Sequence, residues 1–369
     1  MTERVLTERE LNRALLARQL LLDRKRMSVA TALERIGGLQ AQHGPSPHIA
    51  LWSRVEGFRP EQLDKALRER KAVKATLMRV TLHIVSTRDY YAFEPALRLA
   101  RRAWWTEIGP RVGVEFDFDE IGRRTLELVG SGDRAPEELK QLVLGLAEGP
   151  APSSGFHWRL AVGSASLVHT PPSGFWGHHG PGRFATDAGW LGRAVKPEDE
   201  DIQLIVRRHL GAFGPATRGD VSCWSGLPVT TLAAGFEGLK LQEYRDERGR
   251  RLYDLPRAPL PSTDTRPAVR FLPKWDSALL AFEAPERTRI LPERYRKTVI
   301  RKNGDVLPTF LVDGFVAGAW SVKRTSKVAT LLLDAFEPVP HAWKRQVVDE
   351  GERLLRFLEP NAHAYKVEG

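Results

Sequence analysis

The chain predicts an α+β protein built from about three tandem winged helix-turn-helix motifs, with a β-rich C-terminal part. Three observations carry that expectation. Groups of short amphipathic helices are each followed by strand-like runs, the order a winged helix-turn-helix unit requires. This order recurs along the chain, and a proline-rich stretch, 256–267, then separates it from segments of strand character. The expected boundaries are 1–115, 116–197 and 198–267 for the three modules and 268–369 for the β-rich region. Periodicity alone reaches the winged helix as one option among small α+β modules.

In the first module, Thr7-Glu8-Arg9-Glu10 has capping-box spacing, and Leu11, Leu15, Leu16, Leu20 and Leu21 recur at helical intervals to about Leu22. A second helix opens at Ser28, carries Val29, Ala32, Leu33 and Ile36 on one face, and ends at Gly37-Gly38. A third spans 48–55, and proline at the first position opens a fourth, 60–69. The apolar alternation across 72–85 then suits strands.

The second module predicts helices over 119–129 and 136–146, joined by the turn 130–133, with 158–169 as a further helix or the start of a wing. Residues 170–174 are irregular, and 175–180 read as a hinge or wing tip. Helices over 198–212, 218–224 and 228–235, then strands over 239–244 and 251–255, make the third. In the last region, 269–273 is a strand, 309–320 a hairpin turning on Asp313-Gly314, 322–333 a further strand and 341–358 an amphipathic helix.

The 369 residues carry 56 Lys and Arg against 46 Asp and Glu, a formal net charge of +10, which favours a polyanionic partner, nucleic acid before an anionic membrane surface. Cys223 is the only cysteine, so neither an intramolecular disulfide nor a cysteine-based zinc site can form within the chain, and a cytoplasmic location is expected. No secretory signal opens the sequence, and no apolar run is long enough to span a bilayer. Neither Gly-x-Gly-x-x-Gly nor the P-loop pattern occurs, which argues against nucleotide-driven chemistry, and no cofactor is expected. His178-His179 lacks a third ligand at a recognisable spacing, so no metal site is expected. Ten tryptophans are numerous for this length, and most are expected to anchor the core.

The stretch with most chemical content is Gly37-Gly38-Leu39-Gln40-Ala41-Gln42-His43-Gly44-Pro45-Ser46-Pro47. On an extended segment two glutamines at i and i+2 project to one side, and two side-chain amides can hold and orient a water without deprotonating it. Loop-stapling hydrogen bonds are the plainer role for the same residues. Arg79, Thr81 and His83 alternate on one strand and form a polar face. Lys323, Arg324 and Lys327 suit phosphate contacts, or equally a charged edge that blocks sheet pairing.

Gly38-Leu39-Gln40-Ala41-Gln42 with Pro45 and Pro47, then the run 77–85, resembles the AlkZ/YcaQ family of DNA glycosylases. The resemblance continues in order through Phe213-Gly214-Pro215-Ala216-Thr217, Asp220, Trp224-Ser225-Gly226-Leu227, Phe271-Leu272-Pro273 with Asp276, and Val312-Asp313-Gly314 with Gly318 and Trp320. It implies tandem winged helices in a concave, basic DNA-binding scaffold and excision of bulky N7-alkylguanine lesions, interstrand crosslinks included. Gln40-Ala41-Gln42 is similar to the family's catalytic glutamine, aliphatic, glutamine signature, with a small residue in the middle.

The implied partner is double-stranded DNA carrying alkylated guanine, bound by a monomer with no membrane association. Gln40 and Gln42 are the implied catalytic pair. Arg79, His83, Lys323, Arg324, Lys327, Asp313 and Gly314 are the candidate DNA-binding residues, Arg79 and His83 either touching DNA or bracing the glutamine loop. A winged-helix regulator without catalysis, or a basic scaffold for acidic proteins, are the other readings.

Overall fold

A computed structural model describes the chain from Arg4 to Gly369, apart from Ser131, Ala151, Ser154, Ser326 and the side chain of Pro285. Ser131 of the expected 130–133 turn lies outside the described residues, as do Met1 to Glu3.

Local capping chemistry starts the first module. Thr7 accepts from the Glu10 amide at 3.2 Å while the Glu10 carboxylate accepts from the Thr7 amide at 2.9 Å, closing a capping box on the helix Glu8–Arg18. Ser28 caps Val29–Ile36 through the Thr31 amide, and the left-handed Gly37 ends that helix. Val29, Ala32, Leu33 and Ile36 are all buried, as their spacing predicts. The next helix, Ser46–Arg54, begins two residues before the expected 48. Pro47 sits in its first turn, where a missing N–H costs nothing. Pro60–Arg68 follows, then the antiparallel strands Ala72–Thr76 and Leu82–Ser86.

No simple periodicity marks an element over 87–115, and here the structure has its longest helix, Thr87–Arg111. Pro95 and Pro110 lie inside it, and its polarity follows no simple stripe, because it is contacted from several sides. Arg101, almost fully buried, pairs with Glu94 at 2.7 Å and donates to Gly163 O at 2.9 Å and Thr76 O at 3.2 Å. One guanidinium thereby ties this helix to the first wing and to the helix Phe156–Ser164.

Strands from 39–86 and from 133–185 share one sheet. Its order is Leu39–Gln40, Leu82–Ser86, Ala72–Thr76, Val168–Thr170, Arg183–Ala185 and Asp133–Arg134, antiparallel throughout. Helices Asp201–Phe213, Arg218–Ser225 and Val229–Glu237 are followed by the hairpin Gln242–Asp246 with Arg251–Asp254, to which Val5–Leu6 adds a parallel strand. The C-terminal sheet runs Arg270–Leu272, Thr309–Val312, Phe315–Arg324, Val328–Ala335 and Ala364–Glu368, with the helix His341–Leu358 packed on it. The single strand expected over 322–333 is thus the end of one strand and the start of the next.

The chain is therefore α+β, a tandem winged-helix scaffold with a β-rich C-terminal part. Its apolar cores join distant stretches of the sequence. Leu33, Ile36 and Trp52 of the N-terminal helices share one apolar cluster with Phe271, Phe310 and Trp320 of the C-terminal sheet. Among the described residues no helix is long and apolar enough to cross a membrane.

Candidate active site

The glutamine stretch leaves its helix through two consecutive left-handed glycines, Gly37 at φ 75° and Gly38 at φ 79°. A Cβ on Gly38 would lie 2.8 Å from Val85 Cγ1 and 3.3 Å from the Ile84 carbonyl oxygen, so the chain can press flat onto the strand Leu82–Ser86 only as glycine. Leu39 and Gln40 then pair with Ile84 and His83 as a short edge strand, and the Ala41 amide donates to Leu82 O at 2.7 Å. Buried polar contacts fix the entry. Gln19 donates to Ile36 O at 3.2 Å and accepts from Arg54, Arg54 pairs with Asp276 at 2.7 Å with both side chains fully buried, and Ser277 reaches Gly38 O at 3.5 Å.

The two glutamines do not stand as a free, equivalent pair. Gln40 is buried, and its Oε1 accepts from Arg79 Nη2 at 3.1 Å. Gln42 is exposed, and its Oε1 accepts from the Leu82 amide at 3.4 Å. Regular extended structure ends at Gln40, so simple period-two projection does not describe Gln42. Both amide oxygens are engaged by one segment, 79–82, which holds the side chains in place.

That segment is strained. Arg79 and Val80 have φ of 52° and 57°, a conformation that is a genuine outlier for the β-branched Val80. Arg79 Nη1 donates to Trp224 O at 2.7 Å, so the guanidinium bridges the helix Arg218–Ser225 to Gln40. Gly226, in left-handed conformation, lets the turn approach, since a Cβ there would lie 3.2 Å from the Arg79 amide nitrogen. Burial lowers the Arg79 guanidinium to about 10, still a cation at neutral pH. His83 is almost fully buried, and its Nδ1–H donates to Thr81 O at 3.0 Å. Burial, with the Arg79 cation beside it, lowers its imidazole to about 3, so it is neutral. Arg79 is half-buried and reaches Gln40 and Trp224, while His83 is buried against the Thr81 carbonyl, so both stand in contact with the segment that holds the glutamines.

Gln42 opens onto a cleft of about 250 Å³, whose walls include Thr76, Val80, Leu82, Trp104, Trp105, Trp158, Arg159 and His169. Val80 and Trp104 also border a neighbouring cleft of about 230 Å³ that reaches Arg79 and Ser225. No carboxylate is among the described residues lining the first cleft. No spacing in the sequence marks these tryptophans as a set. The adjacent pair Trp104-Trp105 was the available signal, and it lay on the helix that periodicity missed.

The remaining candidates separate. The Asp313-Gly314 turn is docked onto the first helix. Asp313 pairs with Arg13 at 2.7 Å and Arg9 at 2.9 Å, Gly314 O accepts from Asn12 at 2.8 Å, and a Cβ on Gly314 would meet Asn12 Oδ1 at 2.6 Å. The polar groups of this turn thus serve a junction with the first helix. Lys323, Arg324 and Lys327 are exposed around the turn after the strand Phe315–Arg324, with Arg324 paired to Glu359.

A family description, DNA glycosylase AlkZ-like, matches residues 33–357. An interstrand DNA cross-link repair glycosylase of Streptomyces sahachiroi is 27% identical over 337 residues, which span 85% of this chain and 87% of that protein. The solved structure of the Streptomyces sahachiroi DNA glycosylase AlkZ superposes with a TM-score of 0.77 at 19% identity, covering 98% of this chain and all of that one, and so shares the fold. The regulator and acidic-protein scaffold readings are thereby set aside. With its tandem winged helices and the Gln-x-Gln segment inside the matched span, the chain belongs to the AlkZ-like family of DNA glycosylases, hydrolases of N-glycosyl bonds.

Proposed function

We propose that this glycosylase is monofunctional and hydrolyses the N-glycosidic bond of cationic N7-alkylguanine in double-stranded DNA, bulky adducts and interstrand crosslinks included. Gln40 and Gln42 position the attacking water. The observation that carries this is the cleft beside Gln42, which offers an amide and aromatic walls but no carboxylate among its described lining. A site without a carboxylate suits a leaving group that alkylation has already made cationic, since the departing base then needs no protonation and water placement is the remaining task. The cross-link repair activity named for the Streptomyces sahachiroi relative supports extending the substrate to crosslinks. The exposed Lys323 and Lys327 take phosphates, and the protein acts as a cytoplasmic monomer.

The test is release of N7-methylguanine from alkylated duplex by wild type, Gln40→Ala and Gln42→Ala, with duplex affinity measured at the same salt. Release should fall by roughly 10²-fold or more in each variant with affinity retained. Undiminished release in both variants would remove the glutamines from the mechanism.

A further inference from the structure

We infer that Val80 is a further positioning residue of the reaction, a side chain kept on a strained backbone to stiffen the turn that holds both glutamines. The inference rests on the glycosylase reading above and adds a residue to it. Nothing in the backbone of the turn 77–81 asks for a valine. Val80 N donates to Leu77 O at 3.1 Å, Thr81 N to Met78 O at 3.1 Å and Leu77 N to Thr81 O at 3.0 Å, bonds that a glycine at position 80 makes equally well. At φ 57° a glycine is at ease, whereas an L side chain crowds its own backbone and a branched one crowds it most. The chain thus carries a strain that a single substitution would remove.

What the strain retains is the side chain. Val80 is partly exposed and stands between two clefts, one lined by Arg79, Ser225 and Gly226, the other by Gln42, Thr76 and Leu82. On its two sides lie the contacts to the amides, Arg79 Nη2 to Gln40 Oε1 at 3.1 Å and the Leu82 amide to Gln42 Oε1 at 3.4 Å. Branching at Cβ restricts χ1 and the backbone range open to the residue, so the turn has little play at this point. A glycine there would admit both signs of φ, and the slack would pass to Arg79 and Leu82 together. The bond to Gln42 is already long, so it has the least to lose before it opens.

The experiment measures single-turnover release of N7-methylguanine, duplex affinity and urea midpoint for wild type, Val80→Gly and Val80→Thr, with Gln40→Ala and Gln42→Ala alongside. Val80→Gly should slow release roughly tenfold while duplex affinity stays within about twofold. Its midpoint should stay at or above that of wild type, because relief of strain offsets the freer unfolded chain. Val80→Thr, branched at Cβ in the same way, should release within about twofold of wild type. A merely structural role predicts slower release together with a lower midpoint in Val80→Gly, and that result overturns the inference. So does release at the wild-type rate by Val80→Gly while the glutamine variants are impaired, or a Val80→Thr as slow as Val80→Gly. Undiminished release in both glutamine variants removes the reading on which the inference rests, whatever Val80 does.

Discussion

Arg79 converts a loop glutamine into an oriented one. Its guanidinium donates to Gln40 Oε1 and Trp224 O, from a backbone conformation that costs on the order of 1–3 kcal/mol. Such a cost persists where surrounding contacts over-determine the turn, here the Gly226 approach and the His83 hydrogen bond to Thr81. With its oxygen held, the Gln40 amide has a defined plane, and its NH2 group is the part left to meet a water. Arg79→Ala should therefore reduce single-turnover base release by roughly 10²-fold, the cost of misplacing a positioning group, while leaving duplex affinity within about twofold. An equal loss of affinity and rate would show instead that Arg79 acts in DNA binding. Gln42 differs from Gln40 in exposure and partner, so the two variants in the release assay need not fall by the same factor.

Among the elements, the junction between the helix Ser46–Arg54 and the segment after the strand Arg270–Leu272 fixes the site from behind. Arg54 and Asp276 form a bidentate pair with no exposed side-chain surface, and Asp276 also accepts from the Ala278 amide at 3.0 Å as a helix cap. Removing one partner of such a pair leaves a buried charge without compensation. Asp276→Ala should lower unfolding free energy by about 3–5 kcal/mol, measured by urea denaturation. A change below about 1 kcal/mol would mean that water reaches Arg54 in the native state. The loss reaches the site because Arg54 also holds Gln19, whose Nε2 donates to the Ile36 carbonyl at the end of the helix Val29–Ile36, two residues before Gly38.

For the molecule as a whole, two consequences follow from its charge. A net charge of +10 makes phosphate contacts the main source of affinity, so log K should fall linearly with log salt. Lys327→Ala should flatten that slope by about one if the residue neutralises one phosphate, and an unchanged slope would place it off the interface. The second consequence concerns acid. His83 and His209 are buried and neutral, lowered by that burial to about 3 and about 4, and His209 Nε2 donates to Ala281 O at 3.0 Å. Between those values and the ordinary 6.5 the unfolded chain binds protons that the folded chain does not, so stability is lost as pH falls below about 6.5. From pH 6.5 to 5 each histidine should cost up to about 2 kcal/mol, read as a lower urea midpoint. A flat midpoint across that window would show that both imidazoles take up protons in the native state.

What the sequence alone determined is what depends on near neighbours. Thr7 with Glu10, Ser28 with Thr31 and the Gly37-Gly38 pair each act over a few residues, so the early helices and the exit into the glutamine segment were legible from spacing. Family resemblance supplied the glutamines' expected role for the same local reason, since Gln40 and Gln42 are two residues apart. Only the tertiary structure decided the rest. Pairing of Asp313 with Arg9 and Arg13 joins residues 300 or more apart, and it turned the clearest turn signal in the chain into an internal dock. The 87–111 helix carries two prolines and is packed on several faces, so neither propensity nor period marked it, and the Trp104 wall went with it. Gln40 and Arg79 meet across 39 residues of chain, and Trp104 and Trp158 line one cleft from separate helices. No repeat or spacing encodes such contacts, because they are made by whole elements finding a shared core.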